Sequence, residues 1–162
     1  MTEQWYDICN ADDIQKLKEE FGGFHDACLV SAAWKSGVYV DGQNRMCFGN
    51  AQDRELQMIF HSQWQERVLE LSFIGVRKHC LGGWQERYSY EMYGCLEMRT
   101  DLIAGQETQL MIWADSEGFC LEKEQGRGIL QEPMSSYVIA EKLRWRMVDK
   151  ENAGIRHSGK ET

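Results

Sequence analysis

Ile14, Leu17 and Phe21 recur at i, i+3 and i+7 among charged neighbours, the spacing of a single apolar stripe on a helix. The residues around the stripe punctuate it at both ends. Asn10 is a good N-cap, Asp13 stands at N3 as in a capping box, and Cys9 and Ile14 have the spacing of a hydrophobic staple. Asp12 and Asp13 suit the positive end of the helix dipole, and Gly22-Gly23 stops the helix. These signals predict a helix over residues 10–21.

Past Gly23 the hydrophobic period changes to two. Residues 27–35 alternate loosely and end at the turn signal Ser36-Gly37, and Val38-Tyr39-Val40 has the character of a short return strand. Leu56, Met58 and Phe60 alternate with Gln57, Ile59 and His61, and Leu69, Leu71 and Phe73 with Glu70, Ser72 and Ile74. Over 88–98, Tyr88, Tyr90, Met92, Gly94, Leu96 and Met98 share one face, as expected of a strand with one buried side. Leu110-Met111-Ile112-Trp113 is apolar on both faces and predicts a central strand, with Phe119 to Leu121 as the second arm of a hairpin over 109–123. In the last run, Tyr137, Ile139, Leu143, Trp145 and Met147 are placed on one face, with Glu141 the exception, and Lys142, Arg144 and Arg146 on the other. Residues 41–54 and 124–135 are polar and Gly-rich, and are predicted loops.

The pattern predicts an α+β, predominantly β fold. One N-terminal helix packs on a mostly antiparallel curved sheet, or partly closed barrel, of about seven strands. Residues 1–149 are expected to form a single globular domain, and 150–162 a polar, flexible C-terminal tail, since nothing between them reads as a linker.

Charge and cysteine usage narrow the function classes. The net charge is −8, so the surface repels phosphate backbones, and no nucleic-acid partner is expected. The six cysteines form no Cys-x-x-Cys pair, which argues against a zinc ribbon or redox motif, and the apolar runs around Cys28 and Cys95 predict buried free thiols. The acidic segment Met1–Asp7 has no apolar signal region, and no run is long enough to span a membrane. A reduced, cytoplasmic location without membrane partners is expected.

His25-Asp26 is the strongest candidate for chemistry, because an imidazole beside a carboxylate is the raw material of a general base. In a regular strand the two side chains would face opposite ways, so they cooperate only across a bend, which Gly22-Gly23 allows. The competing role is structural, with both residues satisfying backbone groups where helix becomes strand. His61, His79 and Cys80 lack metal-ligand spacing to His25 and Asp26, so no metal and no cofactor is expected. The stripe Lys142, Arg144 and Arg146, with Arg99 nearby, would suit an anion, or pair across strands with Glu91 and Glu97. Trp64, Trp84, Tyr88, Tyr90, Tyr93 and Trp113 could line a concave binding surface or fill a core. Trp84, Tyr93, Arg144 and Arg146 are taken as the binding candidates.

The segment Phe21-Gly22-Gly23-Phe24-His25-Asp26-Ala27-Cys28, with the late run Leu143-Arg144-Trp145-Arg146, resembles small bacterial proteins with a Gly-Phe-His-Asp motif that look like immunity-type proteins of polymorphic toxin systems. The resemblance implies a non-enzymatic binding module that blocks a protein partner with a basic surface. Acidic loops at Glu117 and Glu122–Glu124 would contribute. The alternative is a small-molecule-binding protein or hydrolase with its pocket near His25 and Asp26. A long strand such as 88–98 would need covering if it lay at a sheet edge, and homo-oligomerisation is one way to cover it.

Overall fold

Helix α1 (Ala11–Glu20) begins at the expected N-cap. Asn10 is extended, its side chain accepts the Asp13 N–H at 3.0 Å, and the Asp13 carboxylate accepts the N–H groups of Asn10 and Cys9 in return. Cys9 is exposed, and it is tied to the helix by its backbone rather than its thiol. Ile14, Leu17 and the following Phe21 are buried, so the stripe faces the core.

A computed structural model describes residues 3–82, 95–116, 118–126 and 135–154. Besides α1 it contains β1 (Tyr6–Asp7), β2 (Ala27–Lys35), β3 (Tyr39–Val40), β4 (Met46–Cys47), β5 (Glu55–Ser62), β6 (Arg67–Cys80), β7 (Cys95–Arg99), β8 (Leu110–Ala114), α2 (Leu121–Glu124) and β9 (Tyr137–Asp149). Seven of the strands form one open sheet in the order β2-β5-β6-β9-β8-β7, with β1 beside the C-terminal half of β9. Every pairing is antiparallel, and the sheet does not close into a barrel. The fold is α+β and predominantly β. Among the described residues, no helix is long and apolar enough to cross a membrane.

The main core lies on the helix-covered face. Cross-strand register stacks Met58, Leu71 and Trp145 in one row and Leu56, Phe73 and Leu143 in the next. All six are at most 2% exposed. Burying one such side chain contributes about 1.5–3 kcal/mol. A smaller cluster of Leu110, Ile112, Leu121, Tyr137 and Ile139 lies apart from it, so β8 is buried on both faces as its sequence predicts.

The last strand differs from its predicted pattern. Val138 and Ala140 join Leu143 and Trp145 in the main core, whereas Tyr137 and Ile139 belong to the smaller cluster. Glu141 marks the slip. It lies across from Gly75, where the N–H groups of Gly75 and Val76 both donate to the Arg54 carbonyl, at 2.9 and 3.2 Å. Gly75 has φ +68°, and a Cβ there would come within 2.9 Å of the Glu141 carboxylate. Irregularity at this point lets one long strand serve two cores.

Other departures have local causes. Leu121 begins a helical turn rather than a strand, which removes the predicted 109–123 hairpin. Val38–Val40 does not return along β2. Its β3 portion pairs with β4, which lies inside the predicted loop 41–54. Cys9 and Cys28 are exposed, and Cys47, Cys80 and Cys120 are only half buried, so the expectation of buried thiols fails for these five. Cys28 is exposed because β2 is an edge strand. Of the predicted strand 88–98, only Cys95–Arg99 lies within the described residues. Trp84, Tyr88, Tyr90, Glu91, Tyr93, Glu117 and the tail from residue 155 lie outside them, as does the side chain of Cys95.

Candidate functional site

Both ends of β2 carry residues of interest. At the N-terminal end, the chain reverses through Gly22 (φ +61°) and Gly23 (φ +67°), and Phe24 (φ +63°) and Asp26 (φ +51°) share the left-handed region that non-glycine residues seldom adopt. Packing holds them there. Phe21 and Phe24 meet edge-to-face at 5.2 Å, Phe24 meets Phe60 at 5.7 Å, and Phe60 meets Trp113 at 5.5 Å. Two aromatics from the motif thus plug the core, and the backbone between them turns sharply.

His25 and Asp26 emerge from this turn together. The bend brings His25 Nδ1 to 2.8 Å from Asp26 Oδ2, which a regular strand would prevent. The same carboxylate oxygen accepts the Trp64 indole N–H at 2.7 Å. That hydrogen bond, followed by the charge and hydrogen bond of His25, holds the Asp26 carboxyl below its ordinary range. The Asp26 carbonyl accepts the Gln63 N–H, and the His25 carbonyl accepts the Ser62 hydroxyl. Ser62 is therefore engaged with backbone. Cys28 donates to the His61 carbonyl, and burial pushes its thiol pKa up, the opposite of an activated nucleophile. His25 is 65% exposed. A cavity of about 430 Å³ lies elsewhere, lined by Glu3, Tyr6, Lys16, Arg67, Trp145 and Asp149 among others, and His25 is not on its wall. His79 packs against Trp34 at 4.6 Å. Among the described residues, no three His, Cys, Asp or Glu side chains gather as a metal site.

Arg144 and Arg146 lie on the sheet face opposite the main core, and of their two predicted partners Glu91 lies outside the described residues. Arg146 Nε donates to Glu70 at 2.7 Å and its guanidinium is 3.7 Å from Glu3, while Arg144 bonds Ser72 and lies 3.8 Å from Glu55. Gln57 donates to Glu70, and Trp5 stacks over both guanidinium groups at 4.5 Å. Glu97 cannot take part because β7 is two strands away from β9. Arg99 shares that distant strand and pairs with Asp101 and Glu122. The arginines are thus engaged within the sheet face.

The C-terminal end of β2 is built differently. Residues 36–50 form a short ribbon around β3 and β4, and its base is cinched tightly. Gly37 (φ +77°) lies so close to Asp53 that a Cβ there would meet the Asp53 Cβ at 2.8 Å, and a Cβ on Gly49 (φ +61°) would fall 2.5 Å from the Gly37 carbonyl. Its tip is equally fixed. One Asp41 oxygen accepts the N–H groups of Gln43 and Arg45, and the other binds the Arg45 guanidinium at 2.9 Å. The N–H of Arg45, then that of Gln43, holds the Asp41 carboxyl below its ordinary range. Between base and tip, Val38, Tyr39, Val40, Met46 and Phe48 are 47–71% exposed. Tyr39 pairs with Cys47 and Val40 with Met46, so both faces of the ribbon present apolar side chains to solvent. Next to it, Trp34 on the open edge of β2 is 42% exposed.

This arm was not among the candidate residues read from the sequence. The signal for it is a near-symmetric string in which Gly37 and Gly49 flank two apolar triplets, Val38-Tyr39-Val40 and Met46-Cys47-Phe48, around Asp41–Arg45. Compared with protein families, with curated proteins and with solved structures, the chain matches none.

Proposed function

We propose that this chain is a non-enzymatic protein-binding module whose contact surface is the β3–β4 arm with the adjoining edge of β2. The observation that carries this reading is the arm itself, a ribbon rigid at both ends with apolar side chains exposed on both faces. Exposed apolar surface of that extent marks interaction sites. An isolated two-strand hairpin is at best marginally stable, so a partner that covers it also stabilises it. The resemblance of Phe21–Cys28 to immunity-type proteins is a specific form of the same reading, with a toxin as partner.

The test is site-specific photo-crosslinking from position 39, compared with position 97 on the opposite sheet edge. Expected is a covalent adduct to a polypeptide from 39 and none from 97. Equal labelling, or none from either, would reject the arm as a binding surface.

A second reading, a hydrolase or small-molecule binder near His25, rests on the 2.8 Å contact that orients the imidazole. Saturable ligand binding lost in His25→Ala, with the fold unchanged, would favour it over the arm.

A further inference from the structure

We infer that the occupant of the arm surface is a second copy of this chain, joined about a two-fold axis at the β2 edge with each arm lying against the neighbouring body. This rests on the protein-binding reading above and names its partner.

Trp34, Val38, Tyr39, Val40, Met46 and Phe48 are 42–71% exposed. Together they present on the order of 700 Å² of surface, most of it apolar, close to the ~800 Å² each partner gives a standard interface. In a reciprocal pair the two arms stand at opposite ends of the joined edge, and each lies against the neighbouring body.

Among the described residues β2 ends the sheet, and past its irregularity at Val30 the residues Ser31–Lys35 are all exposed. That stretch has no proline, and its one charge stands at the end, so it lacks most of the devices that protect edges from pairing. Antiparallel pairing of two copies about Ala33 sets Trp34 opposite Ala32 of the second copy, large against small, on the face of Met58 and Leu56. Ser31 then faces Lys35 of the second copy, and no like charges are opposed.

The chain carries −8, so two copies repel over most of their surfaces. Within residues 36–50 the only charges, Asp41 and Arg45, neutralise each other at 2.9 Å, Lys35 lies 3.7 Å from Glu55, and Asp53 stands at the arm's base. Two acidic molecules can therefore meet here with little Coulomb cost.

Sedimentation velocity of the full chain across nanomolar to high micromolar concentration tests the inference. Expected is a species of twice 18.9 kDa whose dissociation constant rises at least 100-fold in Val40→Glu/Met46→Glu. Mild oxidation of Ala33→Cys should give a covalent dimer that Glu97→Cys does not, a readout that stands even if the arm variant folds poorly. A chain monomeric throughout, or a dimer indifferent to the arm substitutions and unlinked through Ala33→Cys, overturns the inference. In the monomeric case, a position-39 crosslink to a different polypeptide keeps the binding reading and replaces the partner. A monomer with no crosslink ends both.

Discussion

The two ends of β2 follow opposite rules. At the N-terminal end the sequence supplies groups associated with chemistry, and the fold puts them to structural use. Phe21 and Phe24 fill the core, Ser62 binds a backbone carbonyl, and Asp26 is held between His25 and Trp64. At the C-terminal end the sequence supplies ordinary apolar residues, and the fold holds them out in water on a braced ribbon. Residue type alone therefore does not tell which end has interactions left to make. An exposed apolar ribbon gains free energy when something covers it, whereas groups already paired within the fold have less to gain.

The largest expected effect tests the N-terminal end. Phe24 is 1% exposed and links Phe21 to Phe60. Phe24→Ala should destabilise the protein by about 3–5 kcal/mol in urea unfolding, the usual cost of emptying an aromatic core site. A loss under about 1 kcal/mol would mean that the motif is not anchored as described.

Gly37→Ala comes next, because it strikes the base of the arm. The residue has φ +77°, and the new methyl would stand 2.8 Å from the Asp53 Cβ. A cost of about 1–3 kcal/mol in thermal or urea unfolding is expected from enforced backbone strain. An unchanged midpoint would show that the base is not cinched.

How much of this contrast is legible in the sequence depends on the range of the forces involved. The α1 cap is set by residues three apart, and Asn10 and Asp13 are identifiable on sight. The cores of β5 and β6 follow from strict alternation. The face change in β9 depends on Gly75, far away in sequence, so Glu141 looks like an isolated exception until the sheet is assembled. The true partners of Arg144 and Arg146 are also non-local, since Glu55 and Glu70 reach them only through strand order. For the arm, the sequence carries both apolar triplets, but whether they are buried depends on the absence of a covering layer, and no local pattern encodes that.

A smaller effect probes how Asp26 is held. Trp64→Phe removes the indole donor, the main cause of the depressed Asp26 pKa, so the carboxyl should titrate closer to its ordinary 3.8. Because the folded value is depressed, the favourable contribution is full above the unfolded value and is lost as pH falls through the folded one. Wild type should therefore exceed the variant by a constant margin above about pH 4, and the margin should close in more acidic solution. A carboxyl NMR titration measures the shift directly, and an unmoved Asp26 would remove Trp64 from the account.

The smallest expected effect on stability is the most informative about function. Tyr39→Ser/Met46→Ser removes two large apolar side chains, which in a core would cost several kcal/mol. Here each is more than half exposed. Measured by urea unfolding at a concentration where the chain is monomeric, the change should stay within about 0.5 kcal/mol, as for surface positions in general. At high concentration the same pair should lower the unfolding midpoint of the wild-type assembly, because association stabilises the folded state by mass action. A residue that serves only the fold would show the same loss at both concentrations. A residue that serves only binding shows it where the partner is present, and that concentration dependence separates the arm from the aromatics at the other end of β2.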